Sequence, residues 1–268
     1  MIANARMYAV GPRAAAAWRT LLAWVIARAG VACDIVDHPP PLPLPALWAR
    51  RDLGCAFMCG YPLAHATPSP VVLAAPVPSP PAYGGRPIYW TDLVVRADSP
   101  YARLTDLFGR RIGWTTMESQ SGYHALRTLF APYAAARGTP LFTVAVGPLV
   151  TPRAVIAAVL DGTADAGPLD SYWHDLLRAH EPEVAGELRT LVTTTPGPIP
   201  AFVAASTIAA ADAHRLSTAL LAVAAAPELA PARATLLLEG FAPRTVADYA
   251  TLQNRAAEAD ASGYPRLE

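Results

Sequence analysis

Apolar residues along the chain switch repeatedly between the two-residue period of a strand and the 3.6-residue period of a helix. Residues 6–10 read as a short strand. Trp18, Leu21, Leu22, Val25 and Ile26 then recur at helical spacing, which predicts one helix over 14–29 with a single apolar stripe. A second strand is expected at 32–36. Consecutive prolines in 38–45 forbid helix and ladder alike, so that stretch is an extended connection. The run Cys55-Ala-Phe-Met-Cys59, bounded by Asp52 and Gly60, has the continuous apolar character of a buried parallel strand. Another strand is predicted at 71–77, and 78–87 is a Pro/Gly-rich loop.

Residues 88–96 alternate into a strong strand. A short helix at 104–108 ends at Gly109, and a strand at 110–114 leads to a long helix over 121–137. Strands at 142–146, 164–169 and 188–193 then alternate with helices at 152–161 and 171–179. Beyond a strand at 201–205, three helical stretches (210–225, 230–240 and 246–255) follow with no further strand. This alternation argues an α/β fold of mostly parallel sheets joined by right-handed crossovers. Two adjacent strand–helix systems predict two lobes: residues 1–91 with 192–268, and residues 92–191.

Composition narrows the chemistry. The 268 residues are 53% hydrophobic and only 16% charged, with 21 basic side chains against 21 acidic ones. That balance excludes a disordered polyampholyte and a nucleic-acid clamp. Every basic residue is Arg, so a pyridoxal-phosphate Schiff base, a lysine nucleophile and a Walker A lysine are all excluded. Cys33, Cys55 and Cys59 lack the spacing of a redox or zinc motif and read as small buried hydrophobes. Nothing in the spacing of donor side chains calls for a metal or cofactor. Residues 14–32 form the one stretch worth testing as a membrane span or signal. Arg19 and Arg28 interrupt it, so it reads as a core helix, with no export signal and no membrane insertion.

The segment 111–127, Arg-Ile-Gly-Trp-Thr-Thr-Met-Glu-Ser-Gln-Ser-Gly-Tyr-His-Ala-Leu-Arg, carries the most chemical information. A strand ends at Trp114, a polar loop follows, and a helix opens at Ser119–Gly122. The first turn of a helix presents amide groups without intrahelical acceptors, which is a ready anion site. Ser119 and Ser121 add hydroxyls, Gln120 adds an amide, and Gly122 lets a ligand approach the backbone. The competing reading is plain N-capping by Ser119 or Ser121. An esterase nucleophile does not fit, because the first glycine of G-x-S-x-G is missing. His124, one turn along, packs or faces solvent. Three more points fall at strand ends, where open α/β sheets hold ligands. They are Tyr61 after the 55–59 run, Tyr89 and Thr91 in the 88–96 strand, and Asp170 with Tyr172 after the 164–169 strand. Asp170 capping the following helix is an equal reading.

Four segments occur in one order: Phe57-Met-Cys-Gly-Tyr-Pro-Leu63, Gly85-Arg-Pro-Ile-Tyr-Trp-Thr-Asp-Leu-Val-Val-Arg-Ala-Asp-Ser99, Ser119-Gln-Ser-Gly-Tyr123 and Gly162-Thr-Ala-Asp-Ala-Gly-Pro-Leu-Asp170. Together they resemble the phosphate, phosphite and phosphonate substrate-binding proteins of ABC importers, the PhnD-like group. The resemblance spans roughly residues 6–202. It implies a two-lobed type II periplasmic-binding-protein fold with a ligand cleft between lobes and hinge closure through crossover strands near 88–96 and 188–196. It also implies that Ser119, Gln120 and Ser121 cradle the phosphorus end, that Tyr61 and Tyr89 line the cleft with Thr91 beside the crossover, and that Asp170 holds an ammonium end. Two features depart from the family pattern. Thr151-Pro-Arg153 stands where many relatives carry a Ser-His pair, and Gln120 is bulkier than the usual Thr or Ser.

The resulting expectation is a monomeric solute-binding protein, not an enzyme, that closes around a small anionic ligand and delivers it to an ABC transporter permease. The resemblance implies a periplasmic location, whereas the missing signal fits a cytoplasmic one. Two alternatives stay open: a cytosolic ligand sensor, and a thiamine-pyrimidine-precursor binding or synthesis protein on the same fold. The latter would need His38, His65 or His124 brought together.

Overall fold

A computed structural model describes residues 1–268. The chain runs β1 (Ile2–Asn4), α1 (Pro12–Ala29), β2 (Asp34–Ile35), α2 (Leu44–Trp48), β3 (Leu53–Met58), α3 (Gly60–His65), β4 (Val71–Pro78), β5 (Ile88–Tyr89) and β6 (Thr91–Arg96). It continues with β7 (Arg111–Gly113), α4 (Ala125–Arg137), β8 (Val144–Val146), α5 (Pro152–Leu160), β9 (Gly167–Asp170), α6 (Ser171–His180), α7 (Pro182–Gly186), β10 (Leu188–Thr193) and β11 (Gly197–Pro198). It closes with β12 (Ala201–Ala204), α8 (Ala210–Leu221), α9 (Ala230–Thr235), β13 (Leu238–Ala242) and α10 (Ala250–Ala261). The chain forms two compact units, Met1–Ile88 with Pro198–Ala250, and Tyr89–Gly197 with Thr251–Glu268.

Unit 1 is built on a six-stranded sheet in the order β13-β4-β12-β3-β1-β2. β1 to β4 share one direction, while β12 and β13 run against them. Helix α1 starts cleanly because Pro12 needs no amide acceptor in the first turn. It stops at Gly30, whose φ of 61° is the left-handed conformation that lets its amide return to the last carbonyls. The apolar stripe of α1 faces the sheet, and Trp18, Phe57 and Phe202 form the centre of the core. The Phe57 ring stacks on Phe202 at 3.8 Å and meets Trp18 and Tyr8 edge-on at 5.1 and 5.0 Å.

Two expectations are corrected in this unit. The first strand is Ile2–Asn4, because it is these residues that pair with β2 and β3. Arg6–Tyr8 instead makes a 3-10 turn that drops Tyr8 into the core beneath Trp18, whose indole N–H donates to the Tyr8 carbonyl at 3.1 Å. The tail, expected to be helical throughout, contains β13. Helix α9 ends at Thr235 and the following apolar residues pair antiparallel with β4. No helix is long and apolar enough to cross a membrane. Cys55 and Cys59 are buried and Cys33 is half-buried, all three as free thiols.

In unit 2, β6 lies between β10 and β9, antiparallel to both. β7 pairs parallel with β8, and a parallel bridge from Ile112 to Ala166 joins β7 to the segment leading into β9. Four strands again share a direction and one opposes it. The expected 88–96 strand is broken at Trp90, since its two halves pair with different partners. Leu93, Leu126, Phe130 and Phe142 make the core, with Phe130 and Phe142 edge-to-face at 4.8 Å. Ala259, Tyr264 and Leu267 are buried in that same core, which is why 251–268 belongs to unit 2, whereas the sequence reading set it with the first lobe.

Candidate ligand-binding site

The start of the long helix departs from regular α geometry. Gln120–His124 forms a π-turn in which the amides of His124 and Ala125 reach back five residues, to the carbonyls of Ser119 and Gln120. One-turn π insertions of this kind recur at functional sites. Ser119 is the N-cap, and its hydroxyl accepts from the Gly122 amide at 2.9 Å. The capping reading of Ser119 therefore holds in this structure. The other first-turn amides have no acceptor within the helix, so the terminus keeps its positive end.

Thr91 joins this turn to a second predicted point. It opens β6, is 1% exposed, and donates from Oγ1 to the Ser121 carbonyl at 3.0 Å. Across the β6–β9 ladder its register partner is Asp170. Asp170 is the N-cap of α6, its Oδ1 accepting from the Tyr172 and Trp173 amides at 3.0 Å each. The structure thus brings Thr91, Ser119–Gly122 and Asp170 together in unit 2. Asp170 caps its helix with that carboxylate.

The remaining predicted residues fall differently. Tyr61 is half-buried on the first turn of α3 in unit 1, its ring 4.3 Å from that of His65. Tyr89 is 3% exposed at the end of β5. Gln120 is buried, with its carboxamide oxygen enclosed by protein. Tyr172 is fully buried, and that burial pushes its hydroxyl far above the ordinary tyrosine range, with the charges of Asp170 and Asp175 adding to the shift. It serves as a core side chain.

Gly122 needs a different explanation from the expected one. A Cβ there would lie 1.8 Å from Thr115 Oγ1, so the space is filled by the Thr115 side chain and not by an approaching ligand. Thr115 is one of several residues the sequence reading missed. It is 7% exposed, and its hydroxyl is enclosed with no hydrogen-bond partner. Thr194 is another: its Oγ1 accepts from the Thr91 amide at 3.0 Å and locks the first residue of β6. Asp92 is a third, accepting from His174 Nδ1 at 2.7 Å and from the Trp90 indole at 3.1 Å. A charged residue inside the apolar strand Thr-Asp-Leu-Val-Val was the available signal for it. Trp90 itself is tied to Ser171 in both directions, its amide to the hydroxyl at 3.1 Å and its carbonyl to the amide at 2.9 Å.

Comparison with known proteins gives first the class and then the family. Three solved structures of similar fold are the binding-protein component of an ABC phosphonate transporter from Pseudomonas aeruginosa, PhnD1 from Prochlorococcus marinus in complex with methylphosphonate, and XAC2383 from Xanthomonas citri bound to ATP. The first is 16% identical with a TM-score of 0.79, covering 98% of this chain and 87% of its own. The second is 14% identical with a TM-score of 0.77, covering 97% and 98%. The third is 20% identical with a TM-score of 0.68, covering 100% and 99%. They establish the type II periplasmic-binding-protein fold. The model of the periplasmic substrate-binding proteins of phosphonate ABC transporters matches residues 50–249, and the chain belongs to that family. It is a family of substrate-binding proteins, not of enzymes. No curated protein matches the sequence.

Proposed function

We propose that the protein binds a small phosphorus-containing anion (phosphate, a phosphonate or a phosphate ester) in the periplasm and delivers it to an ABC-type permease. The observation that carries this reading is that Thr91 donates to Ser121 at the Ser119–Gly122 helix start and stands opposite Asp170 in the β6–β9 ladder. A helix start with flanking hydroxyls holds an anion through neutral donors and needs no Arg or Lys. The buried, unpartnered Thr115 hydroxyl supports the reading, since such groups are rare unless function retains them. Ser119, Gln120, Ser121 and Gly122 form the phosphorus end of the site, with Thr91 bracing the turn. Asp170 selects a cationic or hydroxylated far end, Tyr89 contributes aromatic surface, and Tyr172 supports the floor.

Isothermal titration of the full chain with phosphate, methylphosphonate, 2-aminoethylphosphonate and ATP tests this. ATP joins the panel because XAC2383 is bound to it. At least one of the four is expected to bind, and Ser121→Ala is expected to weaken it by roughly tenfold or more, the worth of one hydrogen bond to a charged group. Asp170→Asn should erase any preference for the aminoalkyl over the methyl phosphonate. Failure of all four anions to bind would overturn the reading.

A further inference from the structure

His124 closes the π-turn and is 5% exposed. Its two ring nitrogens face partners of opposite kind. Nε2 lies 2.8 Å from the Met117 carbonyl, which can only accept, so Nε2 carries a proton. Nδ1 lies 3.1 Å from a terminal nitrogen of Arg127, which can only donate, so Nδ1 offers its lone pair. These two contacts are compatible with one state alone, the neutral Nε2–H imidazole. Met117 stands two residues before the cap Ser119, so the ring ties the loop entering the cradle to the helix leaving it.

Arg127 is in turn immobilised. It is 3% exposed, donates from Nε and a terminal nitrogen to the Tyr264 carbonyl at 3.2 and 3.1 Å, and pairs with the Asp260 carboxylate. Its guanidinium carbon lies 6.0 Å from the centre of the Tyr123 ring. Arg127 comes from α4, and Asp260 from α10 reaches it through Arg127. Tyr264 presents its carbonyl to Arg127 while its hydroxyl donates to the Glu268 carbonyl. Tyr123 meets the imidazole edge-on at 5.3 Å, and Glu118 is exposed beside Met117. The Arg127 cation is in direct contact with the ring at Nδ1. A second proton on Nδ1 would set N–H against N–H and cation against cation.

We infer that His124 is a positioning residue for the anion cradle, holding the Met117–Ser119 entry loop only as the neutral imidazole, so that acidification releases the loop and weakens ligand binding. This rests on the function proposed above, yet part of it is open to test without any ligand. The neutral variant His124→Gln can donate to the Met117 carbonyl and accept from Arg127 but cannot titrate in this range, whereas His124→Leu keeps bulk and loses both bonds.

The experiment has two arms. In the first, nitrogen-15 spectra of the ligand-free protein, with the His124 signal assigned by its loss in His124→Gln, give the tautomer and its titration. The Nε2–H form titrating below the ordinary value of about 6.5 is expected, with the Met117, Glu118 and Ser119 amides moving along the same curve. In the second, methylphosphonate affinity is measured from pH 7.5 to pH 5 for wild type and His124→Gln, and their ratio cancels the ionisation of the ligand itself. The ratio should be near one at pH 7.5 and fall by about tenfold at the acid end, the course of one proton lost to a linked site, while His124→Leu binds weakly at every pH. An Nδ1–H tautomer, titration at or above the ordinary value, or superimposable pH profiles for wild type and His124→Gln would overturn the inference. If methylphosphonate fails to bind at pH 7.5, the functional reading loses that ligand, and the first arm alone decides for or against the role of His124.

Discussion

The two units bury different chemistry. Of the ten buried polar or charged residues, Asn4 alone belongs to unit 1; Thr91, Asp92, Thr115, Gln120, His124, Arg127, Ser171, His174 and Thr194 all lie in unit 2. Unit 1 is held by aromatic packing around Phe57, which asks only for shape and area. Unit 2 buries hydrogen-bonded groups, in which removing one partner strands the other. A protein keeps such groups where position matters more than stability. Most of the buried polar groups of unit 2 lie on β6, α6 and the π-turn.

The largest test of that contrast is Phe57→Ala. It empties the space between Phe202, Trp18 and Tyr8 and should cost about 4 kcal/mol in denaturant unfolding. Anion affinity of the surviving folded protein should be nearly unchanged, since unit 2 is intact. Asp92→Ala comes next. It strands the His174 and Trp90 donors in a site where the Asp92 side chain is only 4% exposed, and should cost roughly 3 kcal/mol. Because Asp92 follows Thr91, this variant should lose affinity as well as stability, and a loss of stability alone would break the comparison. The smallest effect has the opposite sign. Thr115→Val removes an enclosed hydroxyl that has no partner and keeps the shape that fills the Gly122 gap, so the ligand-free protein should gain about 1 kcal/mol in thermal unfolding. A destabilised Thr115→Val would mean that the hydroxyl is satisfied in solution.

Much of the fold is legible in local pattern. Helix α1 declares itself through its apolar stripe, Pro12 and Gly30, and β3 through an unbroken apolar run. The helix start at Ser119–Gly122 is legible for the same reason, as a polar cap before an apolar repeat. What was misread depends on partners far away in the chain. The 230–240 stretch satisfies a helical pattern until β4 captures Leu238–Ala242 as a strand. Residues 2–4 carry too little pattern to announce a strand that two neighbours impose. The site divides in the same way. Thr91, Ser119–Gly122 and Asp170 could be named from capping and strand-end position. Thr115 against Gly122, Thr194 on Thr91 and His174 on Asp92 are bound by contacts that no local spacing reveals. Gly122 is a case in point: its missing side chain makes room for a threonine seven positions earlier.

The most direct measurement is a proton–nitrogen correlation spectrum of the full chain during titration with methylphosphonate at pH 7.5. The account predicts saturable shifts centred on the amides of Ser119, Gln120, Ser121 and Gly122, with Thr91 responding through its bond to Ser121. Saturable shifts confined to other residues, with the Ser119–Gly122 amides unmoved, would contradict it.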